Sequence, residues 1–330
     1  MLNPYPWQES QWQQILAAYA QNRLSHALLL TGPEGIGLEQ FSYSLAARLL
    51  CKDIQSNQTA CGLCKPCILF QAGNHPDIID IQPEEKGKQI KVDDIRQLVD
   101  FIHMKSHFSE YKLVIINPAE AMNRSAANSL LKTLEEPPPD SLLILLSSQP
   151  ALLPVTIRSR CQRVNFSTIG TDEALQWLQS RLGEQQALAA ELLLMAKGAP
   201  LKALSLLETD GIEQQQLILE DLESLRLRQS DPVKIAAKWL SQDATEVIKH
   251  LLDLFIIMSR LKLGTSGNNS TVHRHLQRLI NGLDLVQLIA CYDVLLRNYH
   301  ALTGPISLNK QGLLEDFIIS WQSKAEQQRG

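Results

Sequence analysis

The chain is 330 residues long, with 31 Lys and Arg against 35 Asp and Glu and a formal net charge of -4. That length predicts two or three domains, each able to bury a core, and the charge excludes a global basic field that would draw the chain onto nucleic acid, leaving only local patches for that purpose. No apolar run reaches the roughly 18 uncharged residues of a membrane span, and "MLNPYPWQESQWQ" lacks both a basic and an apolar leader region, so the expected compartment is the cytoplasm.

In chain order, "WQQILAAYAQ" has helical spacing, and "HALLLTG" from His26 reads as a first buried strand. "DIIDIQP" from Asp77, "KLVIINP" from Lys112 and "LLILLSS" from Leu142 read as further strands of the same kind. Between them "VDDIRQLVDFI" and "SAANSLLKTLEE" are amphipathic helices, the second ended by Pro137, Pro138 and Pro139. This alternation predicts an α/β domain with a mainly parallel sheet. His26 and His75, beside the first and second strands, are read as structural.

After "RVNF" at Arg163 the strand-like runs disappear. "TDEALQWLQSRL" and "ALAAELLLMAKGAP" predict a small helical unit closing near Glu208. From there the chain is helical to the end, with "DPVKIAAKWL", "ATEVIKHLLDLFIIMSRL", "LDLVQLIACYDVLLRNYHALTG" and "GLLEDFIISW" the most periodic pieces. "GTSGNNST", Gly264 to Thr271, reads as a loop.

Directly after the first strand, Gly32, Gly35 and Gly37 stand at the spacing of a P-loop. In a working site the loop amides cradle phosphates, a lysine neutralises them and a hydroxyl ligates Mg²⁺. Here Leu38 and Glu39 occupy the lysine and hydroxyl positions. The acidic end of a Walker B strand is likewise replaced, by Asn117 and Pro118, with Glu120 two residues too late. The glycines alone are compatible with an ordinary strand-to-helix turn. Coupled losses at two separated motifs point instead to a degenerate nucleotide-binding fold.

Four of the six cysteines, Cys51, Cys61, Cys64 and Cys67, form C-x9-C-x2-C-x2-C between the first strand's helix and the second strand. In a reducing compartment this favours a tetrahedral structural zinc site, with unliganded or redox thiols the alternative. An iron-sulfur reading lacks a cysteine at the x3 spacing after Cys67. Gly62 and Pro66 suit the tight turns of a zinc knuckle. Cys161 and Cys291 have no ligand partners in sequence and are expected to be buried thiols.

"AANSLLKTLEEPP", Ala126 to Pro138, and "LLILLSSQPALLPVTIRSRC", Leu142 to Cys161, resemble the clamp-loader branch of the AAA+ proteins. The resemblance is specific over about residues 5 to 166 and looser beyond, where "GAPLKAL" and "LLEDFIISW" fit a lid and a collar. It implies a RecA-like AAA+ domain over 1–168 with a zinc module at about 51–67, a three-helix lid over 169–208, and an all-α collar over 209–330 through which a hetero-pentamer assembles. In "SRC" it places an arginine finger on Arg160, acting in trans on a neighbour's ATP site. It also puts a hydroxyl sensor at Ser147 or Ser148, while the lid's sensor arginine falls on Leu201, next to Lys202.

The implied function is that of a non-hydrolysing subunit that binds no ATP itself and forms part of a replicative polymerase holoenzyme. Its partners would be the clamp-loader ATPase subunits (gamma/tau) and the clamp-opening delta subunit, with the sliding clamp and primed DNA reached through the complex. Two rivals remain at this stage. One is an active P-loop ATPase, supported by the glycines alone. The other is a zinc-dependent nucleic-acid-binding module, which the single Lys65 and absent aromatics of "CGLCKPC" disfavour.

Overall fold

A computed structural model describes residues 3–54, 58–85, 87–208, 211–264, 271–303 and 309–326. The chain divides into two compact units, Met1–Ile169 and Gly170–Gly330. In the first, a 3-10 turn at Pro6–Gln8 leads into α1 (Glu9–Ala20), β1 (Ala27–Thr31), α2 (Leu38–Leu50) and α3 (Lys65–Gln71). Then come β2 (Ile78–Ile81), α4 (Val92–Ile102), β3 (Lys112–Ile116), α5 (Arg124–Glu135), β4 (Ser141–Ser147), the one-turn α6 (Val155–Arg158) and β5 (Gln162–Asn165).

The five strands form one parallel sheet in the order β2-β3-β4-β1-β5. Every residue of β1, β3 and β4 is buried, which is why these strands read as unbroken apolar runs. The edge strand β5 buries only Val164, so its sequence carries no such run and the fifth strand was not expected. One sheet face is covered by α4 and α5, whose Ile95, Leu98, Leu130 and Leu134 pack with Val114, Ile116, Leu143 and Leu145. The α5 helix starts where the Asn123 side chain accepts the Ala126 amide at 2.8 Å, and it stops before the proline run because a residue preceding proline disfavours helical geometry.

A buried ion pair joins the residue just before β2 to the first residue of β3. Asp77, fully buried, lies 3.2 Å from the Lys112 ammonium, and its carboxylate accepts from the amides of His107 and Phe108 at 2.7 Å each and from Ser109. Burial opposes the charged form, but these amide donors and Lys112 outweigh it and hold the Asp77 carboxyl down at about 2. A depressed carboxylate stabilises the fold fully above its unfolded pKa and loses that contribution as pH falls through the folded one. Denaturant unfolding of the first unit is therefore expected to lose about 2 kcal/mol between about pH 4 and pH 2. The same titration on Asp77→Asn should lack that component.

Among its described residues the second unit is built of helices. Its helices are α7 (Thr171–Leu182), α8 (Ala189–Met195), α9 (Pro200–Glu208), α10 (Gly211–Arg226), α11 (Pro232–Ser241), α12 (Ala244–Lys262), α13 (Thr271–Ile280), α14 (Leu285–Thr303) and α15 (Lys310–Glu326). Asp231 and Asp243 cap α11 and α12 through their side chains, as expected of acids one residue before a helix. The core is built around Trp239, Phe255, Phe317 and Trp321, with Phe255 edge-on to Trp321 at 5.4 Å and to Phe317 at 5.7 Å. Met195 of α8 belongs to the same core, and Asp253 of α12 pairs with both Lys197 and Lys202. Positions 265–270 of the expected Gly264–Thr271 loop lie outside the described residues. Among the described residues no single helix is long and apolar enough to cross a membrane.

Candidate functional site

The glycine loop runs from the end of β1 to the start of α2, at the carboxyl ends of the parallel strands, where open α/β sheets place ligands. Its glycines have reasons of their own. A Cβ on Gly32 would lie 2.6 Å from Ile36 Cδ1 and 2.9 Å from the Phe166 carbonyl. Gly35 and Gly37 have φ of +80° and +88°, the left-handed region that favours glycine. A Cβ on Gly37 would also meet the Tyr5 ring at 2.5 Å.

The loop touches the 3-10 turn before α1. The buried Gln8 amide donates at 2.9 Å to both the Ile36 and the Gly37 carbonyls, and the Trp7 indole donates at 2.9 Å to Ile36. Leu38 and Glu39 open α2 with no cationic or hydroxyl group, and Glu39 is exposed. At the end of β3, the Asn117 amide donates to the Ile81 carbonyl at 3.0 Å, and the exposed Pro118 follows.

Glu120 is engaged elsewhere. Its Oε1 accepts from the Ser148 amide at 3.0 Å, the Ser148 hydroxyl at 3.1 Å and the Gln149 amide at 3.0 Å, tying the turn after β3 to the turn after β4. Ser147 is buried. In the second unit Leu201 offers no cation, and Lys202 donates to Asp253 at 2.7 Å.

Arg160 lies in the turn after α6. Its NH1 donates to the Thr156 carbonyl at 2.9 Å, its NH2 pairs with Glu135 at 2.6 Å, and the side chain is about one-third exposed (34%). The adjoining Cys161 is half-buried rather than the fully buried thiol expected, and desolvation pushes its thiol up to about 11. Cys291 is buried in the core of the second unit. His26 bonds to the Leu134 carbonyl at 3.0 Å and His75 accepts the Asp77 amide at 3.1 Å, both packing roles.

The four cysteines predicted to act together do meet. Cys51 ends α2, Cys64 caps α3, Cys67 lies on it and Cys61 precedes the turn at Gly62, whose φ is +79°. All four sulfurs fall within 4.8 Å of one another, with Cys51 to Cys64 at 3.9 Å and Cys61 to Cys67 at 4.0 Å. Thiolates at about 2.3 Å from a tetrahedral zinc stand about 3.8 Å apart, so the donor set fits such an ion. The amides of Leu63 and Cys64 donate to the Cys61 sulfur and lower its thiol to about 7. Burial pushes the Cys51 and Cys67 thiols up. Four thiolates this close require a cation to ionise together.

Sequence reasoning missed three participants: the Tyr5, Trp7 and Gln8 cluster on the glycine loop, the Glu120 clamp on Ser148, and Glu135 beside Arg160. Nothing in local spacing links residue 8 to residue 37 or residue 135 to residue 160.

A parallel sheet with its first strand inside, a glycine loop leading from that strand into a helix, a four-cysteine knuckle and a second unit built of helices among its described residues together define a parallel α/β protein with a helical extension. A family described as "DNA polymerase III, delta subunit" matches residues 7–170, and "DNA polymerase III, delta subunit, C terminal" matches residues 209–323. The chain is 36% identical to the DNA polymerase III subunit delta' of Pseudomonas aeruginosa over 98% of both chains. It is 30% identical to that of Yersinia pestis over 98% of this chain and 96% of the other. It is also 34% identical to the DNA polymerase III subunit tau/gamma of Haemophilus influenzae, over 50% of this chain and 23% of that one. The chain belongs to the DNA polymerase III delta' subunit family.

Proposed function

We propose that the chain is a non-hydrolysing subunit of a replicative clamp loader, acting in the cytoplasm. In this reading it joins the gamma/tau ATPase subunits and the clamp-opening delta subunit in a hetero-pentamer that places the sliding clamp on primed DNA. The observation that carries the reading is 36% identity to a delta' subunit across 98% of both chains. Similarity to tau/gamma over half the chain fits a subunit that shares its fold with the ATPases.

Residues 1–168 form the AAA+ domain, 169–208 the lid and 209–330 the collar. The two family matches leave 171–208 uncovered, the span of the three short helices α7, α8 and α9, which supports this division. Cys51, Cys61, Cys64 and Cys67 hold a structural zinc. Arg160, on an exposed turn, serves as an arginine finger toward the neighbouring ATPase subunit.

The chain itself binds no useful ATP, because Leu38 cannot neutralise phosphate, Glu39 repels it and Asn117 cannot supply the charge that holds Mg²⁺. Two experiments test this reading. Co-expression with gamma/tau and delta should yield one complex containing all three. Calorimetric titration of the isolated chain with ATP and Mg²⁺ should give no saturable heat, and micromolar affinity would overturn the reading that the chain works without bound ATP. Restoring lysine at position 38 alone should create no ATPase, since Asn117 and Pro118 remain.

A further inference from the structure

We infer that the segment Asn3–Gln8 is the resident ligand of the glycine loop, holding its shape and closing one of its faces, and that this is a block to nucleotide separate from the missing catalytic groups. The inference rests on the reading that the chain works without bound ATP. It goes beyond that reading by assigning the loop an occupant.

Gln8 is fully buried, and a buried primary amide must be bonded. Its Nε2 donates to two successive loop carbonyls, Ile36 and Gly37, and its Oε1 accepts the Tyr5 amide at 2.9 Å. The Ile36 carbonyl takes a second donor from the Trp7 indole, and the Gly37 carbonyl also accepts the Phe41 amide at 3.0 Å. Fixing those two carbonyls fixes the planes of the peptides that carry the Gly37 and Leu38 amides. In a working loop, amides at these positions are aimed by contact with phosphate. In this chain neutral side chains from another segment do the aiming.

The same segment fills the space beside the loop. The Tyr5 ring rests on Gly37 so closely that no Cβ fits there, and it stacks on Trp7 with centroids 4.8 Å apart and planes 4° from parallel. Gln40, on the first turn of α2, donates at 2.6 Å to the Asn3 carbonyl and holds the start of the segment in place. A ligand approaching Gly37 from this side must displace an aromatic pair and break the Gln8 bonds.

The test compares three full-length chains for binding of a fluorescent ATP analogue with Mg²⁺. They are the unmodified chain, a chain with Leu38→Lys and Glu39→Thr, and that chain with Tyr5→Ala and Gln8→Met added. The inference expects the last to bind at least about 100-fold more tightly than the second. Equal affinity of the two, or binding by neither, would overturn it. Binding by the unmodified chain would instead sink the reading that the chain works without bound ATP. Amide hydrogen exchange supplies an independent measure. Gln8→Met, which keeps the volume and removes the donors, should speed exchange of the Gly35–Gln40 amides about tenfold or more, as expected for two lost hydrogen bonds. Amides of β3 and β4 should keep their rates, which shows that the fold survives. Unchanged loop exchange in that intact background would show that Gln8 does not hold the loop, and would refute the inference.

Discussion

Alanine at position 160 is expected to leave the chain folded and the reconstituted complex assembled, while lowering DNA- and clamp-stimulated ATP hydrolysis and clamp loading. The in-chain contacts of Arg160 are hydrogen bonds to the Thr156 carbonyl and, at 3.5 Å, the Ser159 hydroxyl, and an ion pair with Glu135, whose side chain is 51% exposed. Exposed pairs of this kind contribute about 0–1 kcal/mol, so their loss does not unfold the domain. As the proposed finger at a neighbour's γ-phosphate, the same guanidinium would be worth far more. Arginine fingers contribute about 10³ to 10⁵ in rate in well-studied GTPases, by stabilising charge on the transferring group.

The total ATPase of the complex should fall by less than that factor, because other sites would use fingers from other subunits. Clamp loading should fall further if all sites must fire together. Arg160→Lys should rescue little, since an ammonium cannot reproduce the planar two-donor fork. The comparison is steady-state ATPase and clamp loading by wild-type and Arg160→Ala complexes matched for assembly. Equal rates would reduce the subunit to a scaffold and leave Arg160 as a surface arginine paired with Glu135.

What the sequence disclosed depended on whether a physical cause was local. Strands β1, β3 and β4 are buried on both faces, so their apolar runs are visible without any partner. Strand β5 is held by pairing with β1 alone and exposes three of its four residues, and its sequence looks like loop. The cysteine cluster was legible because metal geometry demands short spacings that survive in the linear chain. The glycine loop was legible as a loop but not as one bonded to a distant segment. Its partners Tyr5 and Gln8 lie about thirty residues away, and neither a buried glutamine nor a stacked aromatic pair leaves a periodic trace. Glu120 illustrates the same limit: the sequence placed it too late for a Walker B acid, and only the fold shows it gripping Ser148.

The largest stability effect is expected at the cysteine knuckle. Protein purified without added metal should contain one zinc per chain by elemental analysis, held by Cys51, Cys61, Cys64 and Cys67, and iron in its place or no metal would sink the assignment. Among the described residues the apolar cluster of this module is small: Ala47, Cys51, Ala60 and Cys67 are buried, with the partly buried Cys61, Cys64 and Phe70 packed against them. So small an apolar cluster cannot offset the entropy of ordering the segment, and metal binding must supply the difference. Structural zinc in finger peptides supplies about 10–16 kcal/mol at neutral pH, and removing one of four thiolates forfeits a large part of that. Cys64→Ser should therefore release the metal and unfold the knuckle. It should also speed hydrogen exchange in the Ala60–Phe70 amides by several orders of magnitude. The sheet should persist, because its core under α4 and α5 shares no residue with the knuckle. Assembly with partner subunits should persist too, because the helical second unit carries the proposed collar. Zinc loss should be driven by acid as well, since protons compete with the metal for the sulfurs. A Cys64→Ser chain that retains stoichiometric zinc and native exchange in this segment would show that the knuckle folds without its fourth thiolate.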